Sequence, residues 1–128
     1  MFKLTLIFLG SGLGGVLRYL IAGVVQNLFA PTFPIGTLVV NVTGCLAIGF
    51  LATALGGALM REEYRVAILV GILGGYTTFS TFGRETMTLL QDGEWLLASL
   101  NVMLSNVLGL VGVWAGWALS IRMYGVQT

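Results

Sequence analysis

The stretch GILGGYTTFSTFGRE, residues 71–85, decides how this chain must fold. It fills the middle of an apolar run from about Val66 to Leu90, long enough to cross a bilayer, which takes ~20 residues. Its composition nevertheless opposes a continuous helix. Gly74 and Gly75 weaken helical structure, and Thr77, Thr78, Ser80 and Thr81 bring hydroxyls that compete for backbone hydrogen bonds. A break is therefore expected within residues 74–78. Residue 78 is the midpoint of the run, which places the break near the bilayer centre. Irregular backbone survives at that depth only where protein buries it or where it lines a cavity, and spans broken in this way hold ions or substrates. The break is the candidate site.

Around this stretch the chain reads as membrane throughout. Of 128 residues, 57% are hydrophobic and 9% charged, whereas soluble domains carry ~25% charged residues. The expected fold is all-α and integral to the membrane, one domain over residues 1–128. Its four transmembrane helices are expected at about 4–29, 35–59, 66–90 (helix 3, broken at mid-membrane) and 95–123. No room is left for a soluble catalytic domain. The net charge is +1 without a basic run or acidic tail, so no nucleic acid is expected as a partner and the lipid bilayer is. Cys45 is the only cysteine, which excludes a disulfide within the chain and a cysteine metal cluster. Histidine is absent, which removes the commonest general base and metal ligand, so enzymatic chemistry is not expected. The N-terminus runs past Lys3 without a small-residue cleavage site into Arg18 and reads as a retained first helix, not a signal peptide.

The other spans carry a few informative residues. In helix 1, Gly10 and Gly14 have the small-xxx-small spacing of close helix contact. Arg18 lies near the centre of that helix, where an unpaired arginine costs ~3 kcal/mol or more. It either serves a function or snorkels to the nearer interface beside Tyr19. APTFP, residues 30–34, holds both prolines and is a turn. In helix 2, Thr37, Asn41 and Gly44 or Cys45 form a polar-to-small stripe, and the Asn41 amide needs a partner in lipid. An interhelical hydrogen bond worth ~0.6 kcal/mol would meet that need without any function. MREEYR, residues 60–65, is the second connection. Arg84 follows Val66 by eighteen residues, ~27 Å of helix, so Arg84 and Glu85 read as interfacial anchors. QDGE, residues 91–94, turns the chain into helix 4. There Asn101, Ser105, Gly109, Gly112 and Gly116 share one face that begins polar and ends flat. The polar half suits a pore or a buried network. The glycine faces of helices 1 and 4 read as needing partners beyond one subunit. Trp95, Trp114 and Trp117 read as lipid or interface residues. Lys3, Arg61, Arg65 and Arg122 fall on one side against Arg18 and Arg84, a slight lean to termini inside.

Taken together, GxxxGGVLRY in helix 1, PIGTLVVNVTG in helix 2 and GGYTTFSTF in helix 3 resemble the Fluc (CrcB) family of fluoride channels along essentially the whole chain. The resemblance implies four-helix subunits paired as antiparallel, dual-topology homodimers in the cell (inner or plasma) membrane, with two narrow pores. It implies a passive channel that exports cytoplasmic fluoride and so relieves its toxicity. It also implies a structural sodium ion at the dimer centre, held by backbone carbonyls that fall on Gly74 and Thr77 here, and sodium is the only cofactor. By motif position the pore phenylalanines are Phe79 and Phe82, the pore asparagine is Asn41, and the polar track is Ser80, Thr81 and Ser105. Helix 4 departs from the family pattern. Better-matched members carry a tyrosine and then two hydroxyl residues at four-residue spacing, where this chain has Asn101, Ser105 and Gly109.

The physical chemistry of fluoride fits these residue types. The ion is small and strongly hydrated, so a pore must replace its water with donors yet release it, and neutral amides and hydroxyls do both. Phenylalanine edges are partially positive and line an anion path without a charge that would trap the ion, although two phenylalanines alone are more often packing residues. The competing reading is a small four-helix dimeric proton-coupled multidrug exporter, which needs a membrane carboxylate that helix 1 lacks. A structural assembly subunit would explain the glycine faces but not the polar break.

Overall fold

A computed structural model of the chain describes residues 1–29, 32–56 and 60–125. Among them, four helical runs are long and apolar enough to cross a membrane: Phe2–Phe29, Ile35–Ala54, Glu62–Gln91 and Trp95–Tyr124. The first is α1 (Phe2–Phe29) and the second α2 (Ile35–Ala54). The third is assembled in pieces: α3 (Glu62–Val66), a π-helical segment (Ala67–Ile72), α4 (Leu73–Tyr76) and α5 (Phe79–Gln91). The last is α6 (Trp95–Tyr124).

Two boundaries differ from the sequence expectation. The third run begins at Glu62 instead of Val66, because Glu62 and Glu63 sit in its first turn, where carboxylates oppose the positive end of the helix dipole. Residues 62–65 are thus helix and not connection. α2 stops at Ala54, short of residue 59, and Leu55 and Gly56 close it as a turn onto the carbonyls of Leu51 and Thr53. Residues 57–59 lie outside the described residues, as do 30 and 31 of the first turn.

The break in the third span is present within residues 74–78, and of its two expected causes the hydroxyls act and the glycines do not. Gly74 and Gly75 remain in the helical turn α4. Thr77 (φ −82°, ψ 157°) and Thr78 (φ −150°, ψ 117°) are the extended pair, and they lie at the middle of the 30-residue run. Thr78 then restarts the helix as its N-cap, its Oγ1 accepting from the Thr81 amide at 3.2 Å. The hydroxyl competition therefore breaks this span, and Gly75 serves another purpose.

That purpose is close approach. A Cβ on Gly75 would lie 2.5 Å from the Ser11 carbonyl oxygen, and one on Gly10 would lie 2.8 Å from that of Ala67. Gly14 meets the Ile72 carbonyl in the same way, so α1 is clamped against the π-helical segment and α4. On the other side of the subunit, Gly49 of α2 abuts the Val113 carbonyl and Gly116 of α6 abuts that of Leu46. The glycine faces of helices 1 and 4 consequently find their partners inside one chain. The expectation that they need a second subunit is corrected, since backbone-to-backbone contact already fills them.

Candidate functional site

The break leaves backbone groups without helical partners, and Asn41 of α2 meets two of them. Its Oδ1 accepts from the Thr78 amide at 2.8 Å and its Nδ2 donates to the Thr78 carbonyl at 3.0 Å. The carboxamide pairs with Thr78 as a neighbouring β-strand would. Two orphaned groups are satisfied at once, and the second Nδ2 proton is left for another acceptor. The amide that continuous helix would offer the Gly74 carbonyl is that of Thr78, and the one for Thr77 is that of Thr81. Both turn to side chains instead, to Asn41 and to the Thr78 hydroxyl. The carbonyls of Gly74 and Thr77 are thereby freed from the ladder.

Beside this pairing lies a cavity of about 350 Å³ between α2, the break and α6. It brings together Asn41, Gly74, Thr77, Phe79, Phe82 and Ser105, six of the residues singled out from sequence. Among the described residues, no charged side chain lines it. The rings of Phe79 and Phe82 pack at 5.4 Å between centroids, tilted by 46°. Phe82 is buried at 9% exposure, whereas Phe79 is 81% exposed on the outer face of the subunit. Thr81 lines a different cavity, and Ser80 is exposed and lines neither.

The second cavity, of about 760 Å³, opens between α1, α2 and α5 and has charged side chains in its lining. Arg18, Arg84, Glu85 and Asp92 all line it. Arg18 reaches the break itself, Nη1 donating to the Thr77 carbonyl at 3.4 Å. Glu85 is not a free interfacial anchor. Its Oε1 accepts from the Thr37 hydroxyl at 2.8 Å, and its Oε2 is buried without a partner among the described residues. The sequence estimate measured distance along one helix and left out α2, whose first turn brings Thr37 over this part of α5.

A metal at this site would have to be bound by neutral oxygens. Among the described residues no group of three or more His, Cys, Asp or Glu is placed to hold one. The freed carbonyls of Gly74 and Thr77 are such oxygens, and a Cβ on Gly74 would meet nothing within 4 Å, so its surroundings are open. The Arg18 guanidinium takes one lone pair of the Thr77 carbonyl and leaves the other for an ion. The donor set fits a sodium ion better than a transition metal.

On α6 the polar half-face splits into two roles. Ser105 lines the narrow cavity, whereas Asn101 is 2% exposed and lies outside it. Asn106, which sequence reading passed over, lines the cavity as well and donates to the Val102 carbonyl at 2.7 Å. Its spacing from Ser105, one residue on, hides it from any search for a single helical face.

A family model described as "CrcB-like protein, Camphor Resistance (CrcB)" matches residues 5–117. The chain is 47% identical over 119 residues to the fluoride-specific ion channel FluC of Paramagnetospirillum magneticum, covering 91% of this chain and 93% of that protein. It is 52% identical over 107 residues to the protein of that name in Geobacter sulfurreducens, covering 83% and 86%. With the one in Opitutus terrae it shares 48% identity over 124 residues, 94% of each chain.

Proposed function

The chain belongs to the CrcB-like family and is a multi-pass membrane protein, and from that premise we propose that it is a fluoride-selective passive channel that exports cytoplasmic fluoride across the cell membrane. The observation that carries the reading is the narrow cavity at the break, where neutral donors and phenylalanine rings meet without a fixed charge. Fluoride leaving water needs donors, and a neutral lining lets it go again. The name shared by the relatives supports the same ion, and the family does not favour the multidrug exporter. Efflux from liposomes holding the purified protein, followed with fluoride and chloride electrodes, tests it. Fluoride should leave and chloride should stay; equal permeation, or none, overturns the proposal.

The unit of function is an antiparallel homodimer of dual topology. The exposed Phe79 ring, exposed Ser80 and the open surroundings of Gly74 support it, because polar and freed backbone groups at membrane depth need cover. Cross-linking in mild detergent should give a dimer. A stable monomer that still transports would refute it.

Sodium is held at the dimer centre by the Gly74 and Thr77 carbonyls of both copies. Bound there, it supplies positive charge that fixes the break and joins the subunits. Replacing sodium with potassium should lower both fluoride flux and dimer stability, while a sodium gradient should leave the direction of fluoride movement unchanged. Uphill fluoride movement on that gradient would make the protein a coupled transporter.

Phe79 and Phe82 line the ion path with Asn41, Ser80, Thr81 and Ser105. Phe82→Ile keeps bulk and removes the ring edge, an interaction worth ~1 kcal/mol, so flux should fall up to about tenfold with the dimer intact. Unchanged flux in Phe79→Ile and Phe82→Ile proteins would return the rings to packing.

A further inference from the structure

Asn101 occupies the helix 4 position at which the family pattern has a tyrosine, yet it does not face the narrow cavity. It is 2% exposed, wedged between α6 and α5. Its Nδ2 donates to Thr86 Oγ1 at 2.9 Å, and Thr86 Oγ1 donates in turn to the Phe82 carbonyl at 2.8 Å. On its other side Asn101 Oδ1 accepts from the Ser105 hydroxyl at 3.5 Å. A buried amide that finds partners on both sides is costly to disturb, because each group left unpaired loses its bond and its water together.

We propose that Asn101 is a positioning residue and not an ion ligand. Through Thr86 it ties α6 to the turn of α5 that carries Phe82, and from the other side it takes up the hydroxyl of Ser105. The inference rests on the channel reading above and assigns specificity within it. The Ser105 proton points to Asn101 at rest, so an anion in the cavity must compete for it. A strongly accepting ion such as fluoride wins that competition and chloride, a weaker acceptor, does not. The long, weak Ser105 contact is the one that yields; the shorter bonds through Thr86 hold the Phe82 backbone in place.

The relay is tested with Asn101→Leu and Thr86→Val, which keep bulk and remove the bonds, and with Thr86→Ser, which keeps the hydroxyl. Each protein carries fluorine at the para position of Phe82 for ¹⁹F NMR in detergent and is assayed for fluoride and chloride efflux in liposomes. Asn101→Leu and Thr86→Val should each move the Phe82 resonance and lower fluoride flux about tenfold, and Asn101→Leu, which also removes the acceptor of the Ser105 hydroxyl, should narrow the fluoride-over-chloride ratio. The double variant should lose no more than either alone, and Thr86→Ser should match the parent. A parent that passes no fluoride while its Phe82 resonance responds as stated would overturn the channel reading and keep the positioning role. Folded Asn101→Leu and Thr86→Val proteins with the parental resonance and ratio would overturn the positioning role. If neither variant folds, retention of the parental resonance by Thr86→Ser supports the relay and its loss overturns it.

Discussion

Asn41→Leu is expected to lower fluoride flux by about a hundredfold or more, the largest loss of any single substitution in the protein. Leucine matches asparagine in bulk but leaves the Thr78 amide and carbonyl unpaired, where Asn41 now holds them at 2.8 and 3.0 Å. Two part-buried backbone groups without partners cost ~2–6 kcal/mol together, and each ~1.4 kcal/mol is a factor of ten. The variant also removes the spare Nδ2 proton, the donor best placed to meet an ion in the narrow cavity. Asn41→Asp separates the two effects: its carboxylate still accepts from the Thr78 amide but offers no proton, so it should keep more of the fold than leucine and no more of the flux. Parental flux in Asn41→Leu liposomes would mean that neither the break nor the amide matters to conduction.

Gly14→Ala is expected to damage folding severely. The added methyl would run into the Ile72 carbonyl and sit 2.8 Å from the Tyr76 amide nitrogen, both backbone atoms that cannot swing aside. Overpacking of this kind costs ~1–3 kcal/mol where side chains can adjust, and more is expected where only backbone can. Two residues earlier, Gly12 has nothing within 4 Å of such a methyl, so Gly12→Ala should be neutral or stabilise by up to ~1 kcal/mol through helix propensity. Midpoints of thermal unfolding in detergent, read by size-exclusion recovery, check the pair. Equal midpoints would mean that the contact between α1 and the third helix contributes nothing.

Hydropathy alone made the four spans legible, because a chain this apolar has little else to be. The break was legible from its hydroxyls, but sequence could not say which residues unwind. Gly74 and Gly75 looked like the weak point, and only the proximity of Ser11 to Gly75 reveals that closeness to α1 is why a glycine stands there. For Asn41 the choice between a structural bond and an ion contact was open, and the structure shows that one amide has protons for both. Partners separated along the chain were invisible: Thr86 lies fifteen residues from Asn101, and Glu85 forty-eight from Thr37. The π-helical segment was equally hidden, since AILVGI is an ordinary apolar sequence and its widening shows only in the hydrogen-bond pattern.

Most of the tight glycine contacts pair the spans in an interleaved order, first with third and second with fourth, while Gly36 of α2 also abuts the Ala22 carbonyl of α1. During synthesis, then, the Gly36 contact between the first two spans is the one that can close early, and the contacts of Gly14, Gly49 and Gly116 must wait for spans made later. Helix 1 waits in the bilayer for the third span and helix 2 for the last, so lateral assembly is deferred until translation is nearly finished. A chain truncated before Trp95 would keep α2 with its Gly49 face bare in lipid, a natural mark for quality control. The order of pairing thus makes completeness of the polypeptide a condition of its packing.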